Sequence, residues 1–244
     1  MDGVHIGCSG WTYRDWRGPF YPEDLPQKAW LEFYARNFDT TEINASFYRL
    51  PSEAAVEGWA RRAPKGFVWT WKASRYITHN KKLKDCADSI ELVFGRMAPL
   101  GRKGCVLFQL PPMLRRDDAR LADFLKLLPK GRKCAFEFRH PSWYEPAVFT
   151  ILEEAGQALC ISDHHAAPAP MQAAASFIYL RGHGPGGRYF GRYDEAQLKD
   201  WARAIKAWRA EGREVFCYFD NDIKSAAPAD AARLAALLGD PAVC

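Results

Sequence analysis

Pairs of polar side chains, two residues apart, lie at the ends of several apolar segments of this 244-residue chain. The pairs are Glu42 with Asn44, Glu137 with Arg139, and Arg181 with His183. On a β-strand the two members of such a pair point to the same face. Carboxylate and imidazole groups transfer protons, and guanidinium groups bind anionic oxygen atoms. We therefore expect a site that combines proton transfer with binding of an anionic group.

The elements that would position these pairs are eight short apolar segments with the composition of β-strands. The predicted strands are Val4–Cys8, Thr40–Asn44, Phe67–Lys72, Cys105–Leu110, Lys133–Phe138, Ala158–Ser162, Phe177–Arg181 and Glu214–Phe219. Helical periodicity fills most of the intervals between them. The clearest helix is predicted over residues 194–210, where Leu198, Ile205 and Trp208 belong to one apolar stripe. Further helices are predicted near residues 30–38, 52–62, 85–97, 121–128, 146–154 and 229–238.

Strands that alternate with helices in this way predict an α/β fold, a (β/α)8 TIM-type barrel, whose usual size is about 250 residues. We expect a single domain over residues 1–244. A doubly wound open sheet is the alternative, although no G-x-G-x-x-G follows the first strand. Residues 9–26 form a long aromatic loop after strand one. Residues 164–175 are too short and too rich in proline for a normal helix after strand six.

The carboxyl ends of the strands form the active-site face of such a barrel, and charged residues gather at those ends. They are Glu42, Lys72, Glu137, Arg139, Asp163, Arg181, His183 and Asp222. A structural salt bridge is the simpler interpretation for one pair, such as Glu137 with Arg139, because a buried charge must be paired. One pair does not explain eight charged residues at one rim, so the pattern favours a ligand or catalytic site.

Seven segments of the chain also resemble the ordered motifs of a known family. They are IGCSGWTYRDWRGPFYP, TTEINASFYRLP, WKASRYITH, VLFQLPP, FEFRHPSWY, YLRGHG and YFDND. In order and spacing they resemble domain of unknown function 72, or YecE-like proteins, over essentially the whole chain. The resemblance implies a TIM-type barrel and supplies no reaction. The family has Asn-Asn-Asp where this chain has residues 220–222, and small residues with a further Asn where it has Lys224–Pro228.

The strand-end pattern and the matching motif positions together give the predicted site. The predicted catalytic residues are Glu42, Glu137, Arg139, His183 and Asp222. The predicted ligand-binding residues are Trp11, Tyr13, Asn44, Tyr48, Lys72, Gln109, His140, Trp143, Arg181 and Asn221. Flat aromatic rings beside cationic groups suit a sugar, a sugar phosphate or another anionic polyol. An isomerase, epimerase or hydrolase is the predicted enzyme type.

A sharper form of this prediction adds a divalent metal ion, Mn²⁺ or Mg²⁺. The four predicted ligands are Glu137, Asp163, His183 and Asp222, from the ends of strands five to eight in succession. An oxygen-rich set with one imidazole suits these metals, and it is similar to the metal sites of sugar isomerases with this barrel. The competing interpretation pairs the carboxylates with Arg139 and Arg181.

Other enzyme mechanisms are open at this stage. Glu42 and Glu137 would form a retaining glycosidase pair if their carboxyl groups lay about 5–5.5 Å apart, but strands two and five lie nearly across the barrel from each other. Lys72 would form a Schiff base if it were desolvated, whereas a lysine near Glu42 is more often its ion-pair partner.

Two further classes of function compete with a sugar enzyme. Aromatic residues interleaved with basic ones, in WTYRDWRG and FYRLP, would stack the bases and hold the phosphates of a nucleotide or a single-stranded nucleic acid. The last alternative is a binding scaffold without catalysis. A net charge of +5, with basic residues scattered along the chain, gives no nucleic-acid footprint by itself.

The remaining features of the sequence favour simple interpretations. The seven cysteines include no C-x-x-C and mostly lie among apolar neighbours, so we predict reduced core residues, with Cys8 as the best candidate for a reactive thiol. His164 and His165 are predicted to be exposed. No segment approaches the roughly 18 apolar residues of a membrane span, and the N-terminus lacks a secretory pattern. We therefore predict a cytoplasmic protein without a membrane partner.

Overall fold

Eight parallel strands form the centre of the protein in the computed structural model, which describes residues 3–239. The strands are β1 (Val4–Cys8), β2 (Thr40–Ile43), β3 (Val68–Lys72), β4 (Val106–Gln109), β5 (Cys134–Glu137), β6 (Ala158–Ser162), β7 (Phe177–Gly182) and β8 (Glu214–Phe219). All eight predicted strands are confirmed, each with ends within one residue of the prediction. The predicted domain, residues 1–244, extends outside the described residues at both ends.

The strand order is β1-β8-β7-β6-β5-β4-β3-β2, and all neighbours are parallel. Strands β1 and β2 therefore lie at the two ends of this order, and they meet through a parallel bridge between Ser9 and Glu42. The hydroxyl of Tyr34 joins the same two strands, because it accepts a hydrogen bond from the Cys8 amide (2.8 Å) and donates one to the Thr40 carbonyl (3.0 Å). The sheet is thus a nearly closed barrel, and the doubly wound alternative is wrong.

Gly7 permits this closure. A Cβ atom at Gly7 would lie 2.3 Å from the Thr40 carbonyl oxygen and 2.8 Å from the Tyr34 hydroxyl, which real Cβ atoms do not tolerate. Only glycine lets the two backbones approach so closely. The motif residues of strand one therefore serve the closure of the barrel as well as the rim.

Helices cover the outside of the barrel. They are α1 (Trp30–Asn37), α2 (Ala45–Tyr48), α3 (Glu53–Arg62), α4 (Ala87–Arg96), α5 (Asp118–Leu125), α6 (Pro146–Glu154), α7 (Glu195–Ala210) and α8 (Ala226–Leu237). The seven predicted helices are present. Helix α7 begins at a capping box in which Asp194 and Gln197 satisfy each other's amides. Residues 163–176, after β6, contain no helix, as predicted. The sequence patterns did not predict α2 or the π-helix Tyr76–Asn80.

The interior of the barrel changes from apolar to polar toward the carboxyl ends of the strands. The apolar part contains Val68, Cys105, Leu107, Ala135, Ala158, Cys160, Ala175, Phe177, Tyr179, Phe216 and Tyr218. The Tyr218 hydroxyl lies 2.7 Å from the hydroxyls of both Thr40 and Thr70, so its polar end is satisfied. Above this layer the next inward positions are the charged strand ends, which places them at one rim.

The cysteines follow the core interpretation. The six in the described part of the chain are free and buried: Cys8, Cys86, Cys105, Cys134, Cys160 and Cys217. Burial and the nearby Asp222 raise the pKa of the Cys8 thiol well above its usual value. A raised pKa removes the reactive thiolate, so Cys8 is not suited to be a nucleophile. Among residues 3–239 no helix has the length and apolar character that a membrane crossing requires.

Candidate functional site at the carboxyl rim of the barrel

Arg181 lies at the centre of a buried group of ion pairs, which we call the arginine cluster: Glu42, Glu137, Arg139, Arg181 and Asp220. Arg181 donates to Glu42 (2.7 and 3.0 Å), to Glu137 (2.9 Å) and to Asp220 (2.8 Å). Arg139 donates to the second oxygen of Glu137. All five side chains are almost completely buried. A buried charge needs such partners, because an unpaired one is strongly destabilising.

The remaining lone pairs of Glu42 are also occupied. Ser9 and Tyr179 each donate a hydroxyl hydrogen bond to the Glu42 carboxylate, both at 2.5 Å. Burial alone would raise the pKa of Glu137, but Arg139 and Arg181 outweigh burial and hold this pKa well below its usual range. Glu42 and Glu137 are therefore ion-paired acceptors below the site. Neither side chain reaches open space, which argues against the catalytic roles that the sequence predicted for them.

The same geometry argues against a retaining glycosidase. The guanidinium of Arg181 lies between the two glutamates, with its NH1 nitrogen on Glu137 and its Nε and NH2 nitrogens on Glu42. A sugar ring would have to occupy the volume that this guanidinium fills. The Arg181 cation, and not a substrate, therefore lies between the two carboxylates.

His183 is held in one tautomer by its neighbours. Its Nε2 lies 3.0 Å from an Arg181 nitrogen and 3.2 Å from an Arg139 nitrogen, and both of these are donors, so Nε2 accepts. Its Nδ1 then carries the proton and faces Asp163 Oδ1 at 3.2 Å. Asp163 also accepts from the backbone amide of His183 (2.7 Å) and from the Tyr193 hydroxyl. His183 and Arg139 were predicted to be catalytic, but the structure places both in this internal network.

Three of the four predicted metal ligands are already engaged by other groups, so the set does not fit a metal site. Both oxygens of Glu137 accept from guanidinium groups, His183 Nε2 faces two guanidinium groups, and Asp163 is bonded to His183 and Tyr193. Arginine nitrogen atoms stand where a cation would have to bind. Within residues 3–239 no group of three or more His, Cys, Asp or Glu side chains converges to hold a metal ion.

An open cavity of about 600 Å³ lies beside the arginine cluster, and we call it the lysine cavity. It is lined by Tyr13, Arg14, Asp15, Asn44, Phe47, Tyr48, Lys72, Gln109, Tyr189, Asp220, Asp222 and Ile223. Six predicted site residues contribute to this lining: Tyr13, Asn44, Tyr48, Lys72, Gln109 and Asp222. The sequence prediction of a polar, aromatic site at the rim thus coincides with an open space of the size that small-molecule ligands use.

Lys72 is the last residue of β3, and its side chain points into the barrel with only 6% of the residue exposed. Its Nζ lies 4.6 Å from the centre of the Phe47 ring. It makes no ion pair with the carboxylates of the arginine cluster. Burial lowers the pKa of Lys72 most, and the charge of Arg181 lowers it further. The charges of Asp220 and the two glutamates oppose this shift. The ion-pair partner that sequence analysis assigned to Lys72 is therefore absent among the described residues.

Asp222, like Lys72, makes no ion pair among the described residues, which distinguishes it from the carboxylates of the arginine cluster. Its Oδ1 atom is buried without a hydrogen-bond partner among the described residues, and so is Oδ1 of Asn44. Burial and the neighbouring charge of Asp220 raise the pKa of Asp222 well above its usual value. Burial and these two aspartates also raise the pKa of Tyr13, whose hydroxyl donates to the Ser9 carbonyl at 2.5 Å. Asp222 is thus suited to carry a proton that a ligand can accept.

Three predicted ligand-binding residues are not among the residues that line the cavity. Trp143 is fully buried, stacks on Phe138 with ring centres 4.6 Å apart, and donates to the Leu114 carbonyl. Asn221 is buried and donates to Gly191 and Asp230. His140 accepts from the Ser142 amide and so caps the turn that Pro141 begins after β5. These corrections have one cause, since each side chain satisfies the backbone where a strand turns into a loop.

Trp11 and Arg181, which were also predicted to bind the ligand, do not line the lysine cavity. Arg181 is the centre of the arginine cluster, below the cavity. Trp11 is nearly buried and packs edge-on against Trp59, but it borders a second cavity of about 620 Å³ beside the first. Tyr13, Asn44 and Tyr48 line both cavities. His164, predicted to be exposed, is buried against the His183 and Tyr189 rings.

Sequence reasoning missed four residues that matter at the rim. Asp220 follows Phe216 and Tyr218 at inward positions, so the period of two along β8 gives a signal for it. Phe47 and Arg14 lie within the quoted motifs, between predicted site residues. Tyr189 has no comparable signal, because it lies in a glycine-rich loop and takes a positive φ of 70°. Its hydroxyl reaches Arg139 at 2.9 Å, which ties the loop to the arginine cluster.

Comparison with known proteins identifies the family. The sequence pattern of the family described as "Protein of unknown function DUF72" matches residues 5–243. The chain belongs to this DUF72 family. Its relatives include UPF0759 protein YunF of Bacillus subtilis (strain 168), which is 24% identical over 90% of this chain and 89% of YunF. UPF0759 protein YecE of Escherichia coli (strain K12) is 30% identical over 58% of this chain and 50% of YecE.

A solved DUF72 structure has the same fold. The crystal structure of a DUF72 family protein from Thermotoga maritima MSB8 superposes with a TM-score of 0.88 and 25% sequence identity, and covers 97% of this chain and 99% of that chain. The barrel and the family that the motifs predicted are thereby confirmed.

Proposed function

We propose that this DUF72 protein is an enzyme that transfers protons on a small, hydroxyl-rich, anionic substrate, of the sugar or sugar-phosphate class, bound in the lysine cavity. One observation carries the proposal. Asp222 and Lys72 line an open cavity and have no ion-pair partner within residues 3–239, whereas the neighbouring carboxylates of the arginine cluster are all paired. Unpaired ionisable groups that are desolvated in a cavity are typical of functional sites.

Each part of the lining matches one part of such a substrate. Asn44 and Gln109 offer amide groups to hydroxyls, and the buried oxygen of Asn44 has no hydrogen-bond partner among the described residues. The Phe47 ring offers an apolar surface, as sugar-binding sites require. Arg14 lies exposed at the mouth, where a guanidinium binds phosphate or carboxylate oxygens. Asp222 is the proposed general acid, because burial and the charge of Asp220 raise its pKa and so favour the protonated carboxyl that an acid needs.

Binding is tested first, by thermal unfolding with ribose 5-phosphate, fructose 6-phosphate, dihydroxyacetone phosphate, glucose and inorganic phosphate. A phosphorylated sugar at 100 times its Kd stabilises by about 2.7 kcal/mol, which is roughly 5–10 °C in Tm for a chain of this length. Arg14→Ala is expected to abolish most of the shift with phosphate esters. Arg203→Ala, an exposed arginine on α7, is the matched control and keeps the full shift.

Proton transfer is tested with the probe that binds. Wild-type protein in D₂O is expected to exchange the C–H next to the carbonyl of that probe, and NMR follows the exchange. Asp222→Asn is expected to slow it by about 10²–10⁴-fold, the usual contribution of a general acid or base. Exchange at an unchanged rate in Asp222→Asn would contradict the proposed role. Failure of every probe to bind would contradict the proposed substrate class.

Nucleotide binding has weaker support at this rim. Trp16, in the middle of the aromatic loop, is completely buried, and Trp11 is nearly so, which removes two of the rings expected to stack on bases. The second cavity retains Trp59 with Lys28 and Arg62 at its border, and this combination suits a base with a phosphate. Adenosine monophosphate therefore belongs in the binding panel, where a larger shift than any sugar phosphate gives would favour the nucleotide.

A further inference from the structure

Lys72 stands out among the buried charged groups because its natural partners are already engaged. Both oxygens of Glu42 accept from Arg181, with Ser9 and Tyr179 as further donors. Both oxygens of Glu137 accept from arginines. The amine of Lys72 is therefore surplus to the ion pairs that stabilise the rim.

The surroundings of Lys72 suit an uncharged amine. Its side chain is desolvated by the barrel wall and by the Phe47 ring, and Arg181 places a permanent positive charge nearby. Burial and that charge both lower the pKa of Lys72. A desolvated lysine beside another cation is the usual form of an amine nucleophile, because a lowered pKa leaves more of the amine uncharged, with its nitrogen lone pair free. A lysine that only bound phosphate would gain from keeping its charge.

We propose that Lys72 Nζ forms a covalent imine with the aldehyde or ketone carbonyl of a hydroxylated, anionic substrate in the lysine cavity. This inference rests on the proposed function and adds the reaction class of carbonyl chemistry through a Schiff base. Asp222 is the acid of the same cavity. The imine withdraws electrons from the neighbouring carbon, which makes the C–H or C–C bond there easier to break.

The step balances without any further reagent. The nitrogen lone pair attacks the carbonyl carbon, the C=O π bond breaks, and the oxygen takes a proton from Asp222. The nitrogen then returns a proton to the Asp222 carboxylate, which leaves a neutral carbinolamine. Asp222 next protonates the hydroxyl group, the C–O bond breaks to release water, and the C=N bond forms as an iminium, which gives its proton back to the Asp222 carboxylate and leaves the imine. Amine and carbonyl compound thus become imine and water, and hydrolysis reverses the sequence.

Borohydride trapping tests the imine directly. The full-length protein is incubated with dihydroxyacetone phosphate or ribose 5-phosphate, reduced with sodium borohydride, and measured by intact-mass and peptide mass spectrometry. The expected product is a single adduct at Lys72, heavier by the mass of the probe minus one oxygen atom. Lys72→Arg keeps the positive charge without a nucleophilic amine and is expected to give no adduct. Lys133→Met, at the opposite end of the barrel, is the matched control and keeps the adduct.

A second measurement does not depend on the natural substrate. Reductive methylation with formaldehyde and a borane reagent is followed residue by residue over a range of pH. The pH dependence of its rate is expected to give Lys72 a lower apparent pKa than the exposed Lys199, a comparison that does not depend on how accessible each amine is. An apparent pKa for Lys72 equal to or above that of Lys199 would overturn the nucleophile.

The outcomes separate the two proposals. A sugar phosphate that raises Tm in wild-type protein but gives no adduct at Lys72 overturns the imine and leaves the proton-transfer function intact. Adducts spread evenly over surface lysines also overturn the imine. An adduct at Lys72 without deuterium exchange supports the imine and contradicts the proton-transfer function.

Discussion

Two adjacent regions of the rim contain the same kinds of residue in opposite states. In the arginine cluster, every carboxylate is buried and accepts from a guanidinium group. In the neighbouring lysine cavity, Lys72 and Asp222 are desolvated and have no such partner in the part of the chain that the structure describes. Asp220 belongs to both regions, because it binds Arg181 and also lines the cavity.

The difference shows how one barrel rim divides its charges. The charges of the arginine cluster are paired with one another, so a ligand would not stabilise them further. The cluster therefore serves as the floor of the site. The lysine cavity leaves a desolvation cost that only a bound molecule or a changed protonation state relieves. Charge at strand ends is thus not a sufficient sign of function, whereas unpaired charge beside open space is a much better one.

The largest expected effect comes from breaking the arginine cluster. Arg181→Met leaves Glu42, Glu137 and Asp220 buried without their shared cation, and we expect a loss of at least about 3–5 kcal/mol in the free energy of unfolding. Urea unfolding followed by circular dichroism measures this loss. Arg203→Met, an exposed arginine on α7, serves as the control. A loss below about 1 kcal/mol for Arg181→Met would show that the cluster is not a structural unit.

A pH titration of stability is expected to give opposite signs in the two regions. Glu137 has a lowered pKa in the folded state, so its contribution is present above about pH 4.3, the unfolded value, and is lost as the pH falls below it. Asp222 has a raised pKa, so its contribution is present below about pH 3.9 and is lost as the pH rises through the folded pKa.

At pH 7, Glu137→Gln is therefore expected to lower the free energy of unfolding by about 1.5–3 kcal/mol, the value of hydrogen bonds to charged groups. Asp222→Asn is expected to raise it by a smaller amount. Both differences from wild type shrink toward pH 3. Denaturant unfolding at pH 7, 5 and 3 measures them, and two variants with the same sign at pH 7 would remove the distinction between the regions.

The smallest effect is expected at the opposite end of the barrel. His5 lies 2.7 Å from Asp39 and 3.3 Å from Glu214. Burial lowers its pKa, but the hydrogen bonds and charges of these two carboxylates raise it to about 9 overall. Asp39 is more than half exposed, so solvent screening limits the pairing to about 0.2–1 kcal/mol.

This contribution should be present below about pH 6.5 and be lost as the pH rises through about 9. The variant His5→Gln is therefore expected to be less stable than wild type at pH 6 and equal to it at pH 10. Thermal unfolding at the two pH values measures the difference. A His5→Gln defect larger than that of Arg181→Met would mean that the rim is not where charge stabilises the barrel most.

Much of the fold was predictable because it depends on local patterns. Alternation of apolar runs with helical periodicity placed all eight strands, and turn residues such as Pro111 and Pro141 end two of them. One departure was local and another was not. Asn44 was assigned to a strand but precedes the short helix α2, whose four residues are too few to show periodicity. His164 was predicted to be exposed because its burial depends on Tyr189, a residue 25 positions away in a loop.

The sequence by itself determined the barrel, its rim and the inward face of each strand, since a period of two fixes which side chains share a face. Only the tertiary structure decided which rim charges are paired. Arg181 meets Glu42 across 139 residues of chain, and the distance that joins them depends on how the barrel closes at Gly7. Hydrogen bonds act over about 3 Å, so the tertiary structure decides which of the residues at one rim form an ion pair. It thereby separates Glu137, a structural carboxylate, from Asp222 and Lys72, which face the open cavity.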